Sequence, residues 1–161
     1  MLNFGKTLVI AAHPDDEVLG CGGLIAELIN QGEQVRVVFI AEGTSCRYDV
    51  INKKVQEEIN FRNQCGIEAL SSLGVSSYNF YNLPCGRLDE EPIIEIAKII
   101  EKEISDYMPT TVLTHSINDV HNDHIIIYRA VIQATRPVAK IVKNVLSFEI
   151  LSSTEWNYVE V

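Results

Sequence analysis

Two short stretches of this 161-residue sequence combine residue types that bind metal ions or transfer protons. The first reads His13-Pro14-Asp15-Asp16-Glu17, and the second reads Asp119-Val120-His121-Asn122-Asp123-His124. Imidazole and carboxylate groups are typical ligands of catalytic zinc, which takes three protein side chains and leaves a fourth position for water. Together the two stretches hold enough of these groups for one zinc site.

The spacing within each stretch would let its side chains meet on one ion. His13 and Asp16 lie three residues apart around a proline-containing turn. His121 and His124 are also three apart, at the start of a predicted helix, where they would share one face. The residues alone therefore predict a ligand set of His13, Asp16 and one of these two histidines. Asp15 would remain beside the ion as a base, and the other histidine would act as a cation or an acid.

Each stretch alone also has a purely structural interpretation. Asp15 or Asp16 could cap the first turn of the following helix, and a His-x-x-His pair could be no more than a solvated helix start. The functional interpretation is favoured only if both stretches lie at the same edge of one sheet.

The elements that must position these residues follow an α/β pattern. Short β-branched runs alternate with longer runs of helical period, which predicts a Rossmann-like three-layer α/β/α fold with a mostly parallel sheet. Ligands of such sheets bind beyond the carboxyl ends of the strands, and the two stretches follow the first and the fourth strand. The predicted strands are Thr7–Ala12, Val35–Ala41, Tyr78–Leu83, Thr111–His115 and Val145–Ile150, and the predicted helices are Val18–Asn30, about Val55 to Leu73, one from about Pro92, and about His121 to Ala134.

The composition limits the classes of partner. Thirteen Lys and Arg against twenty-two Asp and Glu give a net charge of −9. Such a chain repels the phosphate backbone of nucleic acids and anionic membrane surfaces. No segment approaches the roughly 20 apolar residues of a membrane-spanning helix. We therefore expect a small-molecule partner, no nucleic acid and no membrane span.

Chain length and cysteine spacing indicate a single cytoplasmic domain. A chain of 161 residues can bury a core without a structural metal or disulfides, so a metal found here would serve chemistry. The N-terminus carries no export signal. The cysteines are interpreted as free thiols in a reducing compartment, since no Cys-x-x-Cys pair occurs among Cys21, Cys46, Cys65 and Cys85.

The two motifs also resemble a known family. The run from Ala11 to Glu17, followed by Gly20-x-Gly22-Gly23 and later by Asp119-x-His121-x-x-His124, resembles the PIG-L or LmbE-like family of zinc-dependent N-deacetylases. The resemblance implies removal of the acetyl group from an N-acetylated amino sugar, typically N-acetylglucosamine within a larger glycoside. It also implies one Zn²⁺ per chain.

The resemblance assigns roles to individual residues. It implies that His13, Asp16 and His124 bind the zinc ion, and that Asp15 is the general base. It implies that His121 stabilises the oxyanion and helps to protonate the leaving amine. Asp123 then orients a histidine, as metal-binding and catalytic imidazoles commonly require.

Two arginines are candidates for substrate binding. The helical period places Arg62 on the core-facing stripe of the second predicted helix. There it could extend to the nearest edge of the core, or it could contact the sugar, as the family resemblance implies. Arg47, in the loop after the second strand, is a weaker candidate for the same role.

The sequence departs from the family pattern in its second motif and in its length. Asn122 stands where the family more often has proline, which removes no functional group. Family members are usually longer, so we expect residues 1–161 to form a single α/β deacetylase domain that lacks the family's C-terminal segment. Because Trp156 and Tyr158 lie in a short tail and need a surface to cover, we expect either a homo-oligomer or weak activity that depends on the missing C-terminal segment.

Two other functions remain open at this point. The glycines at 20, 22 and 23, with Glu42 after the second strand, partly imitate a dinucleotide-binding fingerprint. However, His13 to Leu19 intervene before the first glycine, so we expect these glycines to lie inside a helix and to allow close packing. The other possibility is a catalytically impaired subunit that only binds metal. The retained Asp15 and His121 argue against it, and the short C-terminus argues for it.

Overall fold

A five-stranded parallel sheet forms the centre of the fold in the computed structural model, which describes residues 3–136 and 141–154. The sheet order is β3-β2-β1-β4-β5, and every neighbouring pair is parallel. The chain moves outward from β1 to β3 on one side and then crosses to β4 and β5 on the other. The strands are β1 (Thr7–Ala11), β2 (Val35–Ala41), β3 (Ser77–Leu83), β4 (Thr111–His115) and β5 (Asn144–Phe148).

Four helices cover the two faces of the sheet. Along β1, Val9 and Ala11 pack in the core formed with α1 and α2, whereas Leu8 and Ile10 pack in the core formed with α3 and α4. Successive side chains of a strand point to opposite faces, so this alternation separates the two cores. The predicted three-layer α/β/α fold is therefore confirmed. The helices are α1 (Asp16–Asn30), α2 (Lys53–Ser72), α3 (Ile93–Tyr107) and α4 (Asn122–Ala134), with a 3₁₀ turn at Ser45–Arg47.

The glycines of the fingerprint-like segment lie inside α1, as the sequence predicts. A Cβ atom at Gly20 would overlap the ring of Phe148 on β5. The chain leaves β1 through His13 and Pro14, so no glycine forms the tight turn that a dinucleotide-binding loop needs. Close packing therefore explains Gly20, whereas a Cβ atom at Gly22 would meet its own helix at 3.7 Å and one at Gly23 would meet no described atom within 4 Å.

The element boundaries agree with the sequence to within a few residues. The last strand ends at Phe148 rather than Ile150, and α1 begins at Asp16 rather than Val18. Trp156 and Tyr158, on which the expected homo-oligomer partly rests, lie outside the described residues. Within residues 3–136 and 141–154, no helix is both long and apolar enough to cross a membrane.

Candidate metal centre and active site

The two chemistry-bearing stretches meet at the carboxyl edge of the sheet. His13 follows β1 and Asp123 opens α4, which follows β4, and His13 Nε2 lies 2.9 Å from Asp123 Oδ2 although 110 residues separate them. The His121 ring lies with its centroid 5.0 Å from that of His13 and 4.4 Å from that of His124. β1 and β4 are neighbours, and the strand order reverses between them. Parallel α/β sheets bind ligands at the carboxyl ends of the strands at such a reversal, and the cluster lies there.

Asp16 is the centre of the cluster. Its Oδ2 lies 3.5 Å from His13 Nδ1, 3.4 Å from His124 Nε2 and 3.4 Å from His115 Nε2. The same oxygen accepts the backbone N–H of His13 at 2.8 Å. Burial opposes ionisation of the carboxyl, but the contacts with His124 and His13 hold the pKa of Asp16 well below its usual value. Asp16 is therefore a buried carboxylate facing three imidazoles.

His124 has the hydrogen bonding of a metal-binding histidine. Its Nδ1 lies 2.9 Å from Asp119 Oδ2 and donates to that carboxylate. The inner nitrogen Nε2 is then left with its lone pair, and it is buried without a hydrogen-bond partner among the described residues. Metal-binding histidines commonly donate their outer N–H to a carboxylate in this way. His124 and Asp16 thus fit a metal ion on geometry alone.

Three combinations of side chains place one donor atom each within 4.8 Å of the others. The predicted set of His13, Asp16 and His124 is not itself one of these combinations, but Asp16 Oδ2 lies 3.5 Å from His13 Nδ1 and 3.4 Å from His124 Nε2. The combinations are His13 with His121 and His124, His13 with Cys85 and Asp123, and Asp16 with His115 and His124.

The electrostatics of the cluster favour positive charge at its centre. Burial alone would lower the pKa of His13, but hydrogen bonds to Asp123 and Asp16 outweigh it and raise the pKa to about 12. Burial likewise opposes a charged His124, but Asp16 and Asp119 raise its pKa. A divalent cation bound here would supply the positive charge that these carboxylates favour.

Asp15 lies at the mouth of the cluster rather than within it. Its side chain is 50% exposed, and its Oδ2 accepts a hydrogen bond from Arg62 Nη2 at 2.8 Å. The backbone φ of Asp15 is 143°, a conformation that non-glycine residues rarely adopt and that is often found at functional sites. Partial burial raises the pKa of the Asp15 carboxyl, and the Arg62 guanidinium opposes that increase. The geometry leaves this carboxylate accessible at the edge of the cluster.

His121 presents a hydrogen-bond donor to the cavity. Its Nδ1 accepts the backbone N–H of Asp123 at 3.2 Å, which makes His121 the N-cap of α4. The proton of the neutral ring is then on Nε2. Burial and the neighbouring His124 lower the pKa of His121. A lowered pKa favours the neutral ring, and the role as a cation or acid that the sequence indicated stays a prediction.

Arg62 extends from α2 to the edge of the site. Its guanidinium lies against Gly43, where an added Cβ would come within 2.6 Å of Arg62 Nε and where φ is +75°. Of the two interpretations of this residue, the structure supports an arginine that reaches the core edge and contacts the site. A direct contact with substrate stays a prediction, as it does for the exposed Arg47.

Two adjoining cavities open at this edge. The one over the cluster has a volume of about 440 Å³ and is lined in part by Arg47 and Arg62. Its neighbour, of about 620 Å³, shares both arginines and is lined by apolar residues of α1 and α2 together with Asp15, Glu17 and Glu58. These volumes are in the range of small-molecule sites. The first cavity is lined by His13, Asp15, Asp16, Leu19, Gly43, Cys46, Arg47, Arg62, Cys85, Val120, His121, His124, Ile150, Ser152 and Ser153.

The sequence interpretation gave no role to three residues of the cluster. His115 is fully buried, its Nε2 accepts the Ala12 N–H at 2.9 Å, and burial lowers its pKa to about 3. Asp119 orients His124, and Cys85 Sγ lies 3.6 Å from His13 Nε2. His115 ends β4 and Cys85 follows β3, so applying the strand-end rule to every strand would have found both.

The chain has recognisable relatives. It matches the family model described as PIG-L, GlcNAc-PI de-N-acetylase, over residues 8–135. It is 31% identical over 138 residues to the uncharacterized deacetylase YaiS of Escherichia coli, a match that covers 83% of this chain and 70% of that protein. It is 29% identical over 149 residues to the 1D-myo-inositol 2-acetamido-2-deoxy-alpha-D-glucopyranoside deacetylase of Mycobacterium sp. (strain KMS), covering 77% of this chain and 48% of that protein.

A solved structure shares both fold and sequence similarity. N,N'-diacetylchitobiose deacetylase from Pyrococcus horikoshii superimposes with a TM-score of 0.71 and 25% identity, covering 82% of this chain and 49% of that one. The chain therefore spans about half the length of the archaeal and mycobacterial proteins. Because the family model covers most of the chain and the Escherichia coli relative aligns over most of both sequences, the chain belongs to the PIG-L, or LmbE-like, family of de-N-acetylases, as its two motifs predict.

Proposed function

We propose that this chain is a zinc-dependent hydrolase that removes the N-acetyl group from an N-acetylated amino sugar or its glycoside. The observation that carries the proposal concerns His124 Nε2, which lines a cavity, faces the Asp16 carboxylate and is buried without a hydrogen-bond partner among the described residues. Asp15 and His121 line the same cavity. A metal-binding pair and two groups able to exchange protons or hydrogen bonds with a substrate thus share one space.

His13, Asp16 and His124 would hold one zinc ion per chain. When bound there, zinc would polarise the acetyl carbonyl and activate water for hydrolysis of the amide. Asp123 would position His13 through the 2.9 Å contact with its Nε2, and Asp119 would position His124 through the contact with its Nδ1. Such carboxylates fix the tautomer and orientation of ligand imidazoles.

Asp15 would act as the general base. Its carboxylate faces the cavity, takes the proton of the attacking water and passes it to the amine that leaves. Arg62 favours the ionised form of this carboxylate and holds its Oδ2 at 2.8 Å. His121 would donate its Nε2–H to the acetyl oxygen as negative charge develops on it, without itself having to be charged.

The substrate class is supported by the relatives and by the cavity walls. The mycobacterial relative acts on an inositol glycoside of N-acetylglucosamine, and the archaeal one acts on N,N'-diacetylchitobiose. Both substrates contain an N-acetylglucosamine unit joined to a second ring. Arg47 and Arg62 line both adjoining cavities, so they would bind hydroxyl or anionic groups of such a two-ring substrate. A cytoplasmic location and a homo-oligomer remain predictions.

Amine release from a panel of N-acetylated sugars and glycosides tests the proposal, with the zinc content of the same preparation measured in parallel. We expect zinc-dependent amine release that disappears on chelation and returns with added zinc. Asp15→Asn is the matched control, because it keeps the size of the side chain but cannot take a proton. Full zinc content with no amine release from any substrate would instead support the metal-binding subunit.

A further inference from the structure

Glu17 is a buried carboxyl to which the proposed reaction gives no role. It follows Asp16 in the first turn of α1, and none of its surface is exposed. Its Oε2 accepts the backbone N–H of Asp15 at 3.0 Å, whereas its Oε1 is buried without a hydrogen-bond partner among the described residues. Burying a carboxyl oxygen without a partner costs stability. Features that lower stability in this way are expected where function requires them.

The contact from Glu17 reaches the proposed base through its backbone. Asp15 is the N-cap of α1, with φ 143° and ψ −26°. A residue other than glycine keeps such a conformation only where its surroundings impose it. Glu17 accepts the N–H of Asp15, and the Asp15 carbonyl accepts the N–H groups of Val18 and Leu19 at 3.1 and 3.0 Å. The first turn of α1 therefore holds both backbone polar groups of Asp15.

The Asp15 side chain does not cap the helix that it begins. An aspartate at the N-cap usually accepts a backbone N–H from the second or third residue of its helix. Asp15 makes no such bond, and its Oδ2 instead accepts a hydrogen bond from Arg62. In a capping box, an acidic side chain of the first turn also reaches back to the N–H of the N-cap residue. Glu17 makes this backward contact alone, which leaves the Asp15 carboxylate available for chemistry.

We propose that Glu17 is a positioning residue, which fixes the backbone of Asp15 and thereby directs the Asp15 carboxylate to the mouth of the site. This inference rests on the proposed function, in which Asp15 is the general base. Two contacts would then hold the base, one from Glu17 to its N–H and one from Arg62 to its Oδ2. Glu17 lies in the wall of the larger cavity without exposed surface, so it would act through Asp15 rather than on the substrate.

The contact needs an accepting oxygen of the right reach rather than a negative charge. A carboxylate, a neutral carboxyl group and the amide of glutamine all offer such an oxygen. Glu17→Gln keeps the acceptor and the length of the side chain. Glu17→Met keeps the length without the acceptor, and Glu17→Asp keeps the charge but is shorter by one methylene group. Turnover should therefore stay near the wild-type value in Glu17→Gln and fall in the other two variants.

Steady-state amine release from the best substrate of the sugar panel tests the proposal, with zinc content measured on each sample. We expect Glu17→Met to lower kcat by about 10–100-fold, with KM and zinc content nearly unchanged, because a misplaced catalytic group slows the reaction. Asp15→Asn/Glu17→Met should lose no more than Asp15→Asn alone. Residues that act through one group have such non-additive effects, whereas a general loosening of the fold would add to the loss.

Hydrogen exchange of the Asp15 amide, followed by nuclear magnetic resonance, measures the contact without using activity. The amide should exchange about tenfold faster or more in Glu17→Met than in the wild type, and it should stay protected in Glu17→Gln. Glu103→Met is the matched control, since Glu103 is also a buried carboxyl and lines neither cavity. This control should lower thermal stability without changing kcat or the exchange of the Asp15 amide.

Three outcomes would overturn the proposal: wild-type kcat in Glu17→Met, a loss in the double variant that multiplies the two single losses, or equal exchange of the Asp15 amide in Glu17→Met and the wild type. If Glu17→Met does not fold, Glu17→Asp decides, because full kcat in that variant together with loss in Glu17→Gln would mean that charge matters rather than the contact. A wild-type chain that releases no amine contradicts the proposed function instead. The exchange experiment still shows whether Glu17 holds Asp15.

Discussion

Arg62 and Asp15 form an ion pair across the mouth of the candidate site, with Arg62 Nη2 2.8 Å from Asp15 Oδ2. The two side chains are 24% and 50% exposed and come from α2 and from the turn after β1. The pair therefore connects the α2 layer to the loop that carries two of the proposed zinc ligands. It also orients the carboxylate proposed as the base.

Arg62→Ala should weaken catalysis through Asp15. We expect amine release at neutral pH to fall by about tenfold or more, because a catalytic group loses the contact that positions it. Burial raises the pKa of Asp15 and Arg62 lowers it. Removing the arginine should therefore move the acid limb of the pH–rate profile to higher pH. Arg62→Lys is the control that restores the charge, and an unchanged acid limb in Arg62→Ala would contradict this role.

His13→Ala, Asp16→Ala and His124→Ala should each sharply lower zinc occupancy, because each removes one of only three protein ligands. Elemental analysis of the purified variants measures the loss. Arg47→Ala is a suitable control, since this exposed residue lines the same cavity but is not a proposed ligand. Full metal content in any of the three variants would remove that residue from the ligand set.

Asp119→Ala should weaken zinc binding although Asp119 is not proposed as a ligand. Without the carboxylate at Nδ1, the His124 ring loses its fixed tautomer and orientation, and we expect about a 10–100-fold lower zinc affinity. Competition with a chromophoric chelator measures it. Asp119 Oδ2 also accepts the hydroxyls of Ser153 and Thr154. Thr154→Val therefore controls for loosening of that segment, and it should bind zinc almost as well as the wild type.

Asp15→Asn should keep the fold and the metal but lose about 10²–10⁴-fold in turnover, the usual contribution of a general base. The amide retains a hydrogen-bonding oxygen but does not accept a proton from water. Steady-state amine release at saturating substrate, with zinc content measured on the same sample, checks this. A variant with more than half of the wild-type turnover would exclude Asp15 as the base.

His121→Ala should lower turnover through loss of the donor to the acetyl oxygen, by about 10²–10³-fold. The lowered pKa of His121 favours the neutral ring, so a neutral donor should partly replace it. We therefore expect His121→Gln to retain more activity than His121→Ala. Both variants should keep the alkaline limb of the wild-type pH–rate profile. If the two variants have equal activity and both lose the alkaline limb, the protonated ring of His121 acts instead.

The strands, the helices and the two chemistry-bearing stretches at residues 13–17 and 119–124 could be recognised from the sequence, because each depends on a local pattern of residues. Spacing could not choose between His121 and His124, since residues three apart on a helix share a face. The proposed choice depends on tertiary contacts. His121 uses Nδ1 to cap α4, whereas His124 Nε2 is buried and has no hydrogen-bond partner in the part of the chain that the structure describes. The contact between Cys46 and Cys85 could not be predicted from the sequence either. It depends on how Glu42 joins the two loops that carry these cysteines.

The long sequence separation of the partners in the cluster has a consequence for biosynthesis. Ala12 and His13 contact His115 and Asp123 across 103 and 110 residues. During synthesis, β1 leaves the ribosome long before β4, and the proposed zinc ligands near residue 13 emerge without their partners. Contacts this distant in sequence slow folding. His13 and Asp16 would provide only two of the three proposed ligands until α4 is made, so we expect a nascent chain to reach its full affinity for zinc only after most of the domain has been translated.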